Sequence, residues 1–160
     1  MNKIALKFIP AIIIGVIVLL SFANITEAER RYKYGAKTPP PVEEMNINGF
    51  FNPDHKYLLD GSNLLTIYNS DYVRLEGTTY AKQYVDTIGV TFYLQKWNGS
   101  SWDYEGAGTT YSGSNKDVFD KTVLRNAEPG YYYRLETKHW ISHDGVYEYG
   151  ERVGDYILMK

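Results

Sequence analysis

Residues 85–102 (VDTIGVTFYLQKWNGSSW) constrain the fold more than any other stretch of the chain. Ile88, Val90, Phe92 and Leu94 alternate with Thr91, Tyr93, Gln95 and Trp97, so a strand here has one apolar face and one aromatic and polar face. Asn98-Gly99 follows at once, a pair that marks a tight hairpin turn, and Trp102 opens a returning strand. A chain built on such a hairpin must cover a period-two apolar face with another layer.

The rest of the C-terminal part repeats this grammar. Strands are expected at 64–68, 72–80, 88–97, 102–106, 118–124, 131–141 and 146–158. Asn69-Ser70-Asp71 and Ser142-His143-Asp144-Gly145 read as turns, and 109–115 as a loop of small residues. No helical period of useful length interrupts them. The expectation is an all-β domain over 63–160, an antiparallel β-sandwich of about seven strands. Aromatics make up 16% of the chain, with 16 Tyr among them, a bias suited to pleated surfaces.

The N-terminus carries a different signal. Lys3 and Lys7 precede an apolar run at 8–22, and Thr26-Glu27-Ala28 has the small-x-Ala form of a cleavage site. The run is shorter than the roughly 18–20 residues that span a bilayer, and Pro10 lies inside it. Residues 1–28 are therefore expected to be a signal peptide cut after Ala28, leaving a secreted protein with no membrane contact. Residues 29–62, with Pro39-Pro40-Pro41, read as an extended arm or linker.

Composition removes several classes of chemistry. The chain has no cysteine, so thiol nucleophiles, thiolate metal sites and disulfides are all absent. A formal net charge of −2 with scattered Lys and Arg gives no basic block for nucleic acid. Neither a nucleophile elbow nor a phosphate-binding glycine loop occurs. Asp103 and Glu105 share a strand face without the cleft that paired-carboxylate glycoside hydrolysis needs. His139, His143 and Asp144 are the only grouping that suggests a metal-assisted hydrolase, and on a strand and turn their side chains need not converge. The expectation is therefore no enzyme, no cofactor and no resident metal.

The stronger pattern is aromatic. Tyr93 and Trp97 on the central strand, Trp102 on its return, and Tyr132, Arg134 and Trp140 on the sixth strand fall on outward parity. Tyr104, Tyr147 and Tyr149 share that character. Such a face binds sugars by stacking or proteins through aromatic and arginine anchors; otherwise it serves only as cross-strand packing.

Two resemblances add to this reading. Glu128-Pro129-Gly130-Tyr131-Tyr132-Tyr133 resembles the corner of fibronectin-III and immunoglobulin-like domains, with Tyr133 as the tyrosine that bonds back to upstream backbone and Ala127 where a larger apolar residue is usual. GTTYA at 77–81, VDTIGV at 85–90, LQKWNGSSW at 94–102 and GYYYR at 130–134 are similar to a domain-of-unknown-function family of small secreted all-β proteins of Gram-positive bacteria. That resemblance spans 63–158 and implies secretion without supplying catalytic residues. The function expected is a secreted, non-enzymatic module that binds a cell-surface polysaccharide or protein. A toxin, bacteriocin-like or matrix protein is the alternative, and oligomeric state is left open.

Overall fold

The computed structural model describes residues 51–160, so the signal-peptide reading and most of the arm lie outside the described residues. The described residues form six strands and no helix: β1 (Leu58–Ile67), β2 (Tyr72–Trp97), β3 (Trp102–Tyr104), β4 (Thr109–Asn126), β5 (Tyr132–His143) and β6 (Val146–Leu158). All pairings are antiparallel and belong to one sheet. Its order is β1-β2-β5-β6, with β3 and β4 also paired to β2.

The count is six because two expected strands are one. The segments at 72–80 and 88–97 are the two ends of the 26-residue β2, which continues through 81–87 without a turn. Both ends share β4 as a neighbour, and the register slips between Tyr80 and Val85. That slip lets β2 take the longer path around a bend, marked by three consecutive exposed residues, Lys82, Gln83 and Tyr84. For the same reason 109–115 is strand, not loop: its backbone pairs with the C-terminal end of β2.

The bend curls the sheet so that the two ends of β2 face each other. Val73 and Leu75 from one end share a core with Val90, Phe92 and Leu94 from the other, and Leu65, Tyr133, Leu135 and Met159 complete it. The Thr79 hydroxyl donates to the Gly89 carbonyl across the fold at 3.0 Å. The two halves of β4 face each other likewise, with Lys121 over the Tyr111 ring at 4.8 Å and Arg125 bonded to Thr109. The Tyr133 hydroxyl accepts the Glu128 amide at 2.8 Å, tying the entry of β5 to the chain before it.

Two turns set the hairpins. Asp144 and Gly145 both have positive φ, 49° and 74°, which makes a two-residue turn matched to strand twist. Asn98 does not form such a turn with Gly99. Its side-chain oxygen accepts the amides of Ser100 and Ser101, both at 2.9 Å, and holds a four-residue loop before β3.

β1 begins inside the stretch expected as arm. Tyr57 and Leu58 bury with Val85, Ile88 and Ile141 in a second cluster. Glu148 fixes this entry by accepting the amides of Lys56, Tyr57 and Leu58 at 2.5, 2.8 and 2.7 Å. Burial pulls its carboxyl up, but these three bonds outweigh that and hold it below the usual range.

Between β1 and β6 there is no backbone ladder, and polar side chains close the gap. Asn63 donates to the carbonyls of Leu135 and Arg152, and Arg152 pairs with Asp60 at 2.8 Å. His139 lies within this region, fully buried, with Nδ1 2.8 Å from the Thr79 hydroxyl and Nε2 2.9 Å from that of Thr137. Gly61 faces its ring so closely that a Cβ there would overlap it.

Burial, and after it the nearby Arg152, lowers the His139 pKa to about 4. The folded state thus resists a proton that the unfolded chain accepts below about 6.5. Stability from this group is complete above pH 6.5 and is lost as pH falls to about 4. Denaturant unfolding is expected to show a loss of about 3 kcal/mol across that window. His139→Gln should flatten the slope while lowering stability at pH 7.

Candidate functional site

Outward-facing residues of β3, β2, β5 and β6 form the candidate face, since these four strands are neighbours in that order. Cross-strand pairs build it in rows: Gly89, Trp140 and Tyr149; Thr91, Lys138 and Glu151; Tyr93, Glu136 and Val153; Gln95, Arg134 and Tyr156. The face divides into a closed end and an open end.

At the closed end, near β3, the aromatic residues cover one another. Trp97 is only 6% exposed and packs on Trp102 at 5.3 Å between ring centroids. The Arg134 guanidinium lies over Trp102 at 4.5 Å and donates to Gln95 Oε1 at 2.6 Å. Tyr156 meets both Trp102 and Tyr132, at 6.2 and 5.6 Å. Gln95, itself buried, donates to Glu136 Oε2, which also accepts the Tyr104 hydroxyl. Trp97 and Gln95 form a small buried layer here, on the outside of the sheet, while Tyr104 and Tyr156 at its rim stay exposed.

At the open end the rings stay accessible. Trp140 lies against the backbone of Gly89, where an added Cβ would come within 2.5 Å of the indole. Only a glycine lets the ring lie that flat on the sheet. Tyr147 stacks beside Trp140, with centroids 6.0 Å apart and planes 27° apart. Tyr149 continues the row at 6.3 Å from Tyr147, with the Lys138 ammonium 3.9 Å above its ring. Tyr93 packs on Tyr104 at 5.8 Å. Burial and the Glu136 bond push the Tyr104 phenol up, and burial with Tyr149 does so for Tyr147, so both are neutral donors near pH 7.

The six residues expected from sequence therefore all lie on this face, in different settings. Trp97, Trp102, Tyr132 and Arg134 belong to the closed end, Trp140 to the open end, and Tyr93 stands between them. Tyr156 was missed because β6 bulges: Arg134 pairs with Tyr156 but Glu136 with Val153, so one extra residue switches parity. Gly154 within that strand is the sequence sign of such a bulge.

Of the histidine grouping, His139 is spent in the interior on Thr79 and Thr137. His143 and Asp144 instead meet Asp86 at the bend of β2, a neighbour 57 residues away in sequence.

Substitution should separate the two ends of the face. Trp97→Ala is expected to cost about 3–5 kcal/mol of stability, the range for emptying a large buried site. Tyr147→Ala, at a residue 55% exposed, should cost under about 1 kcal/mol. Urea titrations of both variants measure the difference.

No family model matches the chain, and no curated protein matches it either. Among solved structures a protein from Archaeoglobus fulgidus is similar over 64% of this chain and 98% of its own, at 13% identity and a TM-score of 0.31. A likeness of that size carries no argument about fold or activity.

Proposed function

We propose that this chain is an exported, non-enzymatic binding module whose aromatic sheet face takes a cell-surface polysaccharide or protein. Export rests on the sequence pattern of residues 1–28, with cleavage after Ala28, and on the resemblance of 63–158 to secreted proteins of Gram-positive bacteria. The finer fold assignment is an immunoglobulin or fibronectin-III-like sandwich. It is supported by the Tyr133 hydroxyl bonded to upstream backbone and by a core drawn from two facing ends of β2.

The observation that carries the binding role is the open end of the face. Trp140 lies on Gly89 with Tyr147 stacked beside it at 27° between planes, and Tyr149, 47% exposed, flanks the pair. Cross-strand packing alone would bury such rings, as it does Trp97 beneath Trp102. Here apolar ring surface is left to water beside Lys138 and Glu151, a mixture that suits ring stacking with hydrogen bonds at the rim.

Sedimentation with purified cell walls tests this reading. Tyr147→Ala with Tyr149→Ala, both exposed, should reduce retention at least about tenfold while the melting curve stays within a few degrees of the parent. Trp140→Ala should do the same with a larger loss of stability. Retention that persists in both the double variant and Trp140→Ala would remove the face from the mechanism.

A further inference from the structure

A second group of side chains, away from the aromatic rows, gathers where β2 bends. Asp86 follows the bend, His143 ends β5, and Asp144 occupies the turn into β6. Asp86 Oδ2 lies 3.2 Å from His143 Nδ1, and Asp144 Oδ2 lies 3.9 Å from His143 Nε2. One ligand atom from each of the three residues stands within 4.8 Å of the other two. We propose that Asp86, His143 and Asp144 form a binding site for a divalent transition-metal ion of the zinc type.

The spacing supports this. Zinc takes imidazole nitrogen and carboxylate oxygen at about 2.0–2.2 Å, so two ligands of one tetrahedral ion stand roughly 3.3–3.6 Å apart. The three ligand atoms lie within 4.8 Å of one another, wider than that by up to about 1.5 Å, and rotamer adjustment in the two exposed aspartates has to close the difference.

The neighbours hold the imidazole in place. The Tyr57 ring meets His143 edge-on at 4.7 Å, and its hydroxyl donates to Asp144 Oδ2 at 3.3 Å. Gln83 Nε2 is 3.3 Å from His143 Nε2. With Nδ1 on the ion, beside Asp86 Oδ2, the Nε2–H needs an acceptor, which the Gln83 amide supplies once it is turned over to present its oxygen.

The donor set selects the class of ion. Calcium takes six to eight oxygens, and magnesium keeps most of its water, so neither gains from a site of one imidazole and two carboxylates. Zinc-type ions accept such mixed ligands, and three protein donors leave a position for water or an outside ligand. A bound ion would join the bend of β2 to the β5–β6 hairpin. Asp86 and His143 lie one residue beyond the last pair of the β2–β5 ladder, Thr87 and Ser142, so the ion would clamp the end of that ladder.

Zinc titration of the untagged full chain, by calorimetry and by imidazole proton–nitrogen spectra, tests the site. A single zinc per chain is expected, with His143 resonances shifting and those of buried His139 unchanged. Asp86→Asn, His143→Gln and Asp144→Asn should each weaken binding at least about tenfold. Hydrogen exchange at 82–87 and 142–146 should slow when zinc is added. The exposed aspartate variants keep the test decisive even where the histidine variant folds poorly. No binding at millimolar zinc would overturn the proposal. So would binding that survives all three substitutions, binding abolished by His55→Gln instead, or calcium binding as tightly as zinc.

Discussion

The bend in β2 is the constraint on which the rest of the structure depends. A 26-residue strand supplies a neighbour to β1, β3, β4 and β5, so every other strand but β6 pairs directly with it. A straight strand of that length would leave its apolar face open to water. Bending at 81–84 turns that face on itself, and Val73 and Leu75 then find Val90, Phe92 and Leu94 without any second strand being required. Because β4 follows the same bend along its whole length, both strands change direction together and their ladder is kept on each side of it.

Such a curl leaves a gap where β1 approaches β6, and the chemistry of that gap differs from the core. Backbone groups there have no ladder partner, and buried polar groups must be paired or bear a cost of about 1–3 kcal/mol each. Asn63, Thr137, His139 and Thr79 form a connected set that answers this need, with Arg152 and Asp60 at its outer edge. Glu148 meets the same need at the entry of β1 by taking three amides at once. Both solutions depend on a particular charge state, carboxylate for Glu148 and neutral imidazole for His139. The closure of the sheet is therefore its acid-sensitive part.

Much of the core was legible in the sequence because alternation states burial directly. Ile88, Val90, Phe92 and Leu94 are all buried, as are Tyr133 and Leu135. What alternation could not state was continuity. Lys82, Gln83 and Tyr84 read as a break between strands, whereas they are the outside of a bend within one. Ser112, Gly113, Ser114 and Asn115 carry little strand propensity of their own and are strand because β2 lies beside them. The candidate face was legible in its membership but not in its exposure. Parity puts Trp97 outward, yet outward is not open when Trp102 and the Arg134 layer lie across it. The meeting of Asp86 with His143 was invisible, since it continues the β2–β5 register, which alternation alone does not state.

The two ends of the aromatic face are best understood as one device. An exposed ring can be held in place only if something beneath it is fixed, and Trp140 stands on Gly89, whose carbonyl is bonded across the core by Thr79. The closed end ties the neighbouring strands together through Gln95, Arg134 and Glu136, so the open rings sit on a cross-linked sheet. Aromatic side chains have few torsions to lose, and rings already ordered lose fewer still on binding. Burying Trp97 and Gln95 on the outside of a sheet gives up surface that could have touched a partner. In return the rings at Trp140 and Tyr147 are held in order, and under the proposed binding role affinity would come from that order more than from area.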